Sequence, residues 1–180
     1  MLKSSLNFGA LSGLACFAVF LLLYFAGANP LGNSSWLAAW VPVVVICIST
    51  KHYRENELEG FISYGQAWNI GVLTGIAGAI LHALLMYIFL KIYDNSLVDA
   101  FKAENIQQLE SMENQLSNVF SSSVYDTALE SYQRLDVKTV CSSDFFNKTI
   151  GAILVSLITA AVYKRKKPKQ FIQPDSEPNA

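Results

Sequence analysis

The side chain with the clearest capacity for chemistry is His82, which stands inside a charge-free run from Gly60 to Leu90. An ionisable group within an apolar segment is costly there, and marks a proton carrier, a metal ligand or a hydrogen-bonded structural group. The apolar runs hold no carboxylate to pair with it. A neutral imidazole bonded to Ser, Thr or backbone is therefore the favoured reading. His52 lies in a basic segment too far along the chain to share a metal with His82. Cys16 and Cys47 fall in apolar segments and Cys141 in a polar one. Three cysteines without close spacing argue against a disulfide framework and against a zinc site. Three unpaired thiols are expected, with a Cys141 bridge to another chain as the alternative. No Gly-rich phosphate loop, HExxH, GxSxG, CxxC or paired carboxylates at a membrane boundary occur. No catalytic, cofactor-binding or metal-binding residue is assigned, and the chain does not read as an enzyme.

Two further groups of residues bear on binding and packing. Arg54, in Lys51-His52-Tyr53-Arg54-Glu55-Asn56-Glu57-Leu58-Glu59, has a planar fork suited to lipid phosphate or to Glu57 or Glu59. Gly9 and Gly13 form one GxxxG pair and Gly71 and Gly75 another. Gly71, Gly75, Gly78, Ala79 and His82 share one helical stripe, where a neighbouring backbone can approach closely. Packing inside one bundle is favoured over association of two copies. Gly65 is expected to permit close packing against the second or fourth helix.

These residues need elements to position them, and composition defines those elements. The chain of 180 residues is 52% hydrophobic and only 15% charged, against about a quarter charged in soluble domains. No Asp, Glu, Lys or Arg occurs from Ser4 to Thr50, from Gly60 to Leu90 or from Thr149 to Tyr163. Such runs suit hydrocarbon, where an ionised group costs roughly 2.5–3.5 kcal/mol on insertion scales.

The first run, Leu6 to Ala28, exceeds a signal-peptide core and reads as a retained helix. Asn29-Pro30-Leu31-Gly32 breaks it, and Asn33 or Ser34 can cap the second helix, Trp36 to about Tyr53. Trp36 and Trp40 share a face as interfacial anchors, and Pro42 can kink the early turns. The third run, Phe61 to Leu90, would span roughly 45 Å as a helix, longer than a bilayer core of about 30 Å. Its first turns, with Ser63, Gln66, Trp68 and Asn69, belong at the interface.

Residues 91–148 are polar, with apolar positions recurring at helical steps through Val98, Phe101, Leu109, Met112, Leu116 and Val119. Two helices or one bent helix are expected, broken at Ser121-Ser122-Ser123. The last run, Ile150 to Tyr163, is short, with Lys148 and Lys164 placed to snorkel to opposite interfaces. The expected fold is all-α: a four-helix transmembrane bundle with a helical extracytoplasmic insert between helices three and four. Its parts are 1–90 (helices one to three), 91–148 (insert), 149–166 (helix four) and 167–180 (a disordered basic and polar tail).

Lys164, Arg165, Lys166, Lys167 and Lys169 cluster after the last helix, and Lys51 and Arg54 lie between helices two and three. The insert holds five basic and nine acidic residues. Retention of basic residues in the cytoplasm would put both termini and residues 51–60 inside and the insert outside. A basic tail beside a membrane helix gives no support for nucleic-acid binding.

The stretch Tyr53-Arg54 followed by Gly60-Phe61-Ile62-Ser63-Tyr64-Gly65-Gln66-Ala67-Trp68 and Gly71 resembles a family. It is similar to bacterial membrane proteins catalogued as domain of unknown function 4199, known mainly from the Bacteroidetes group. The layout is shared too: Gly9 and Gly13 in the first helix, a polar helical insert, and Lys164 to Lys167 after the last helix. The resemblance implies an inner-membrane location and supplies no activity, cofactor or ligand residues. The expected function is a non-enzymatic interaction or scaffold protein. The bilayer is its solvent, and residues 91–148 are its surface for a protein partner. Homo-oligomers through the glycine faces, and a subunit of a small transporter or channel, are the alternatives. A transport pathway would draw on Gln66, Asn69, Thr74, His82, Ser156 and Thr159.

Overall fold

Backbone amides in hydrocarbon must bond within their own segment or a closed barrel, and here the apolar runs become helices. The computed structural model describes residues 2–116, 122–165 and 167. The four long apolar helices are α1 (Leu2–Phe25), α2 (Trp36–Asn56), α3 (Tyr64–Ile92) and α6 (Val137–Tyr163). Each is long and apolar enough to cross a membrane, a 3-10 turn at Asn33–Ser35 extending the second. Between α3 and α6 lie α4 (Ser96–Leu116) and α5 (Ser122–Gln133). Val119 of the expected periodicity, Ser121 of the expected break, and Lys166, Lys169 and the last residues of the tail lie outside the described residues.

The four long helices distribute residues as a lipid-solvated bundle requires. Large apolar side chains such as Leu11, Leu14, Val44, Leu84, Leu154 and Ile158 face outward, while Ser12, Ser49, Thr50, Thr74, Ser156 and Thr159 are buried. Small residues inside let backbones approach, since hydrocarbon offers no hydrophobic drive to bring helices together. Helix α3 is central and packs against α1, α2 and α6.

The glycines specify that packing. A Cβ on Gly9 would stand 2.9 Å from the Thr74 carbonyl oxygen, and one on Gly13 would stand 2.8 Å from that of Gly78. Gly71 faces Ser156 and Ile46, and Gly75 faces Ala152. The single stripe of the sequence thus serves three neighbours, with Gly78 against α1 and Gly71 and Gly75 against α6 and Ile46 of α2. Gly65 departs from expectation: it is exposed, and a Cβ there would meet nothing within 4 Å. It lies in the first turn of α3 among the exposed residues 63–66, on the side that faces away from the neighbouring helices.

The fourth long helix also begins earlier than the charge-free run implied. It starts at Val137, capped by Asp136, whose carboxylate accepts from the Thr139 amide at 2.8 Å. Cys141, Asp144 and Lys148 are therefore residues of α6. Absence of charge identifies apolar sequence but does not locate helix ends, because a paired charge can be carried inside.

One end of the bundle gathers the start of α1, the α2–α3 turn and the end of α6. Ile62 and Arg165 exchange backbone hydrogen bonds at 3.0 and 2.9 Å. Lys167 donates to Glu59 at 3.3 Å, and the Phe8 and His52 rings meet edge to face. The insert caps the opposite end. Val98 of α4 is buried with Met86 and Leu90 of α3 and Val140 and Cys141 of α6.

Candidate functional site

Helices α3 and α6 run antiparallel in one register, with Ile62 beside Arg165, Gly71 beside Ser156 and Gly75 beside Ala152. Carried along both helices, that register sets His82 beside Asp144. Nδ1 of His82 lies 2.9 Å from Asp144 Oδ2. Lys148, one turn further along α6, pairs with the other carboxylate oxygen. His82 is only 2% exposed, and the side chains of Asp144 and Lys148 are 24% and 16% exposed.

This arrangement corrects three expectations. His82 has a carboxylate partner, which the sequence hid by placing it among polar residues before the last apolar run. Its bond is to that carboxylate and not to Ser, Thr or backbone. Lys148 turns inward to Asp144 and does not snorkel outward. A buried carboxylate and ammonium are costly apart, and pairing with hydrogen bonds to both oxygens offsets much of that cost.

The trio fixes one hydrogen of the imidazole. An ionised carboxylate only accepts, so Nδ1 carries a hydrogen and donates it to Asp144. Nε2 is buried and has no hydrogen-bond partner among the described residues. The ring meets Phe20 of α1 edge on, with centroids 6.4 Å apart.

Beside the trio is a cavity of about 350 Å³. Its floor is His82, Asp144 and Lys148; Phe20 of α1, Phe101 and Asn105 of α4 and Tyr132 of α5 contribute further walls. The insert thus roofs a chamber between the long helices. A second space of about 280 Å³, lined from α2 and α6, shares Asp144 and Lys148. Among the described residues no group of three or more His, Cys, Asp or Glu could hold a metal ion.

At the other end the structure explains Tyr53 to Gly71. Ser63 accepts from the Gln66 amide at 3.3 Å while the Gln66 side chain accepts from the Ser63 amide at 3.0 Å. This is a reciprocal capping box, legible in the sequence as Ser followed three residues later by Gln. Gly60 has φ +86°, a left-handed turn that favours glycine. Tyr53, Ile62, Ala67, Ile70 and Ala160 are buried together. Arg54 pairs with Glu55 at 2.9 Å. Its guanidinium lies over the Tyr163 ring, 5.3 Å from the centroid. The motif therefore stitches α2, α3 and α6 together.

The polar residues considered for a pathway are largely engaged locally. Ser49 meets Thr74 at 3.3 Å, Ser156 donates to its own helix at 2.6 Å, and Thr159 meets Cys47 at 3.7 Å. Gln66 serves the capping box. All three cysteines are free.

A family model described as "Protein of unknown function (DUF4199)" matches residues 7–165. No curated protein and no solved structure matches the chain.

Proposed function

The chain belongs to the DUF4199 family of proteins of unknown function, and from that premise we propose a non-enzymatic interaction protein of the bacterial inner membrane. It crosses the membrane four times with both termini in the cytoplasm, and the insert projects outside as the surface for a protein partner. The observation that carries this reading is how the insert is mounted. Val98 is buried in the bundle, whereas Met112 and Val124, farther along the insert, are each 49% exposed. Apolar side chains held out on a firmly seated element suit recognition by another protein. The end bearing Arg54, Arg165 and Lys167 is basic, and retention of such residues in the cytoplasm supports the orientation. The glycine faces are occupied within the bundle, so a second copy would use another surface.

Two measurements test the proposal. A membrane-impermeant maleimide should label Val124→Cys in intact spheroplasts and Lys167→Cys only after permeabilisation; the reverse pattern defeats the orientation. Photocrosslinkers at Met112 and Val124 should yield one reproducible adduct that a lipid-facing probe at Leu84 does not. The buried trio favours a second reading, a subunit of a small transporter or channel. Solute flux in proteoliposomes that disappears in His82→Gln would select it.

A further inference from the structure

We propose that the chamber beneath the insert binds a small carboxylic acid with an apolar tail, taken up as its anion together with one proton held by His82. The inference stands on the chamber and its trio and does not depend on the insert's having a protein partner.

Three observations converge. The first is Nε2 of His82, buried without a hydrogen-bond partner among the described residues while Nδ1 is held by Asp144. Nε2 is short of a hydrogen bond on a ring that lines a cavity, and a small turn of that ring toward the chamber would let a group brought from outside supply it. The second is charge. Asp144 and Lys148 cancel, so the trio is neutral with a neutral ring and carries one positive charge when the ring is protonated. A monoanion entering with a proton restores neutrality, and Nε2–H becomes a donor to it beside the Lys148 ammonium. A phosphate dianion would leave an uncompensated charge in a poorly hydrated space. A cation would need a carboxylate, and both oxygens of Asp144 are already engaged. The third is shape. At about 350 Å³ the chamber is at the small end of ligand sites. Phe20, Met86 and Phe101 give it an apolar wall for a short tail.

The groups around the ring come from every side. Helix α6 presents Asp144 and Lys148, α4 presents Asn105, and α5 presents Tyr132. Helix α1 presents Phe20 at the ring and Cys16 within electrostatic reach of Asp144 and Lys148. The α2 end contributes Ser35 and Ala38, neither of which titrates. His82 thus offers a ring nitrogen, without a partner among the described residues, to the proton that enters with the acid.

The test is calorimetry on the full chain in lipid nanodiscs, titrated with hexanoate in two buffers of different ionisation enthalpy, with empty nanodiscs as the blank. At about pH 7.5, where an ordinary imidazole is neutral and the acid ionised, saturable binding should take up about one proton per hexanoate. His82→Gln should abolish proton uptake and weaken binding at least about tenfold, the loss of one charge-assisted hydrogen bond. Leu135→Trp, filling the chamber from beside α5, should remove saturable binding while the trio stays intact. Wild-type heat no greater than the blank overturns the proposal. So does binding without proton uptake, or hexyl phosphate binding more tightly than hexanoate.

Discussion

Across sixty-two residues of chain, the Asp144 carboxylate lies 2.9 Å from Nδ1 of His82. The same carboxylate holds Lys148, so one aspartate links a membrane-length helix to its neighbour and neutralises a part-buried ammonium. That dual role predicts an asymmetric response to mutation.

Asp144→Asn should destabilise the protein by up to about 3 kcal/mol, because it leaves the part-buried Lys148 ammonium without its counter-charge. The double variant Asp144→Leu, Lys148→Met should recover the part of that loss owed to the unpaired ammonium, but not the hydrogen bond that His82 Nδ1 loses. Unfolding in mixed micelles measures both. A double variant as unstable as Asp144→Asn would mean that the pair contributes more than charge compensation.

Glycine substitutions should separate sharply by position. Gly75→Ala puts a methyl into Ala152 of α6 and should cost about 1–3 kcal/mol. Gly65→Leu meets open space and should change stability by no more than about 0.5 kcal/mol. Immunoblots of membrane fractions, with unfolding curves, would show whether the two differ in this order.

Ser63→Ala should remove half of the capping box and cost about 0.5–2 kcal/mol. Gln66→Ala should cost less, since the Ser63 hydroxyl still caps the Gln66 amide. Hydrogen exchange at the first turn of α3 reads this directly, and equal protection in Ser63→Ala would remove the cap as the reason for the motif.

Acid should loosen the insert end first. Hydrogen bonds from the Ser96 and Tyr24 side chains hold the Asp94 carboxyl below its usual range, and those from Thr139 do the same for Asp136. Both folded-state values are depressed, so the stabilisation is fully present above the unfolded carboxyl value of about 3.9. It is lost as pH falls through the lower folded values. Exchange at residues 94–98 and 136–140 should rise as pH falls below about 4, after correction for the intrinsic rate. Asp136→Asn should flatten that dependence at the start of α6.

The sequence alone determined that four apolar runs are helical and that the polar region between the third and fourth holds helix, while the full length of the last long helix, which starts at Val137, came from the structure. Charge-free runs and apolar periodicity are local properties that a helix inherits directly. Gly9, Gly13, Gly71, Gly75 and Gly78 were legible as contact points because only small side chains permit close backbones. Which contact each made was decided by the bundle, where Gly78 faces α1 and Gly71 and Gly75 face α6. Gly65 showed the limit of reasoning from residue type, since nothing packs over it. The site itself belonged to the tertiary structure. A carboxylate read along the chain is an isolated cost to be kept out of an apolar helix. Asp144 is carried within α6 because the register with α3 brings His82 to one oxygen, while the helix's own next turn brings Lys148 to the other. That cost depends on partners: Lys148 four residues on is a local helical pattern, but no local pattern in the chain encodes His82.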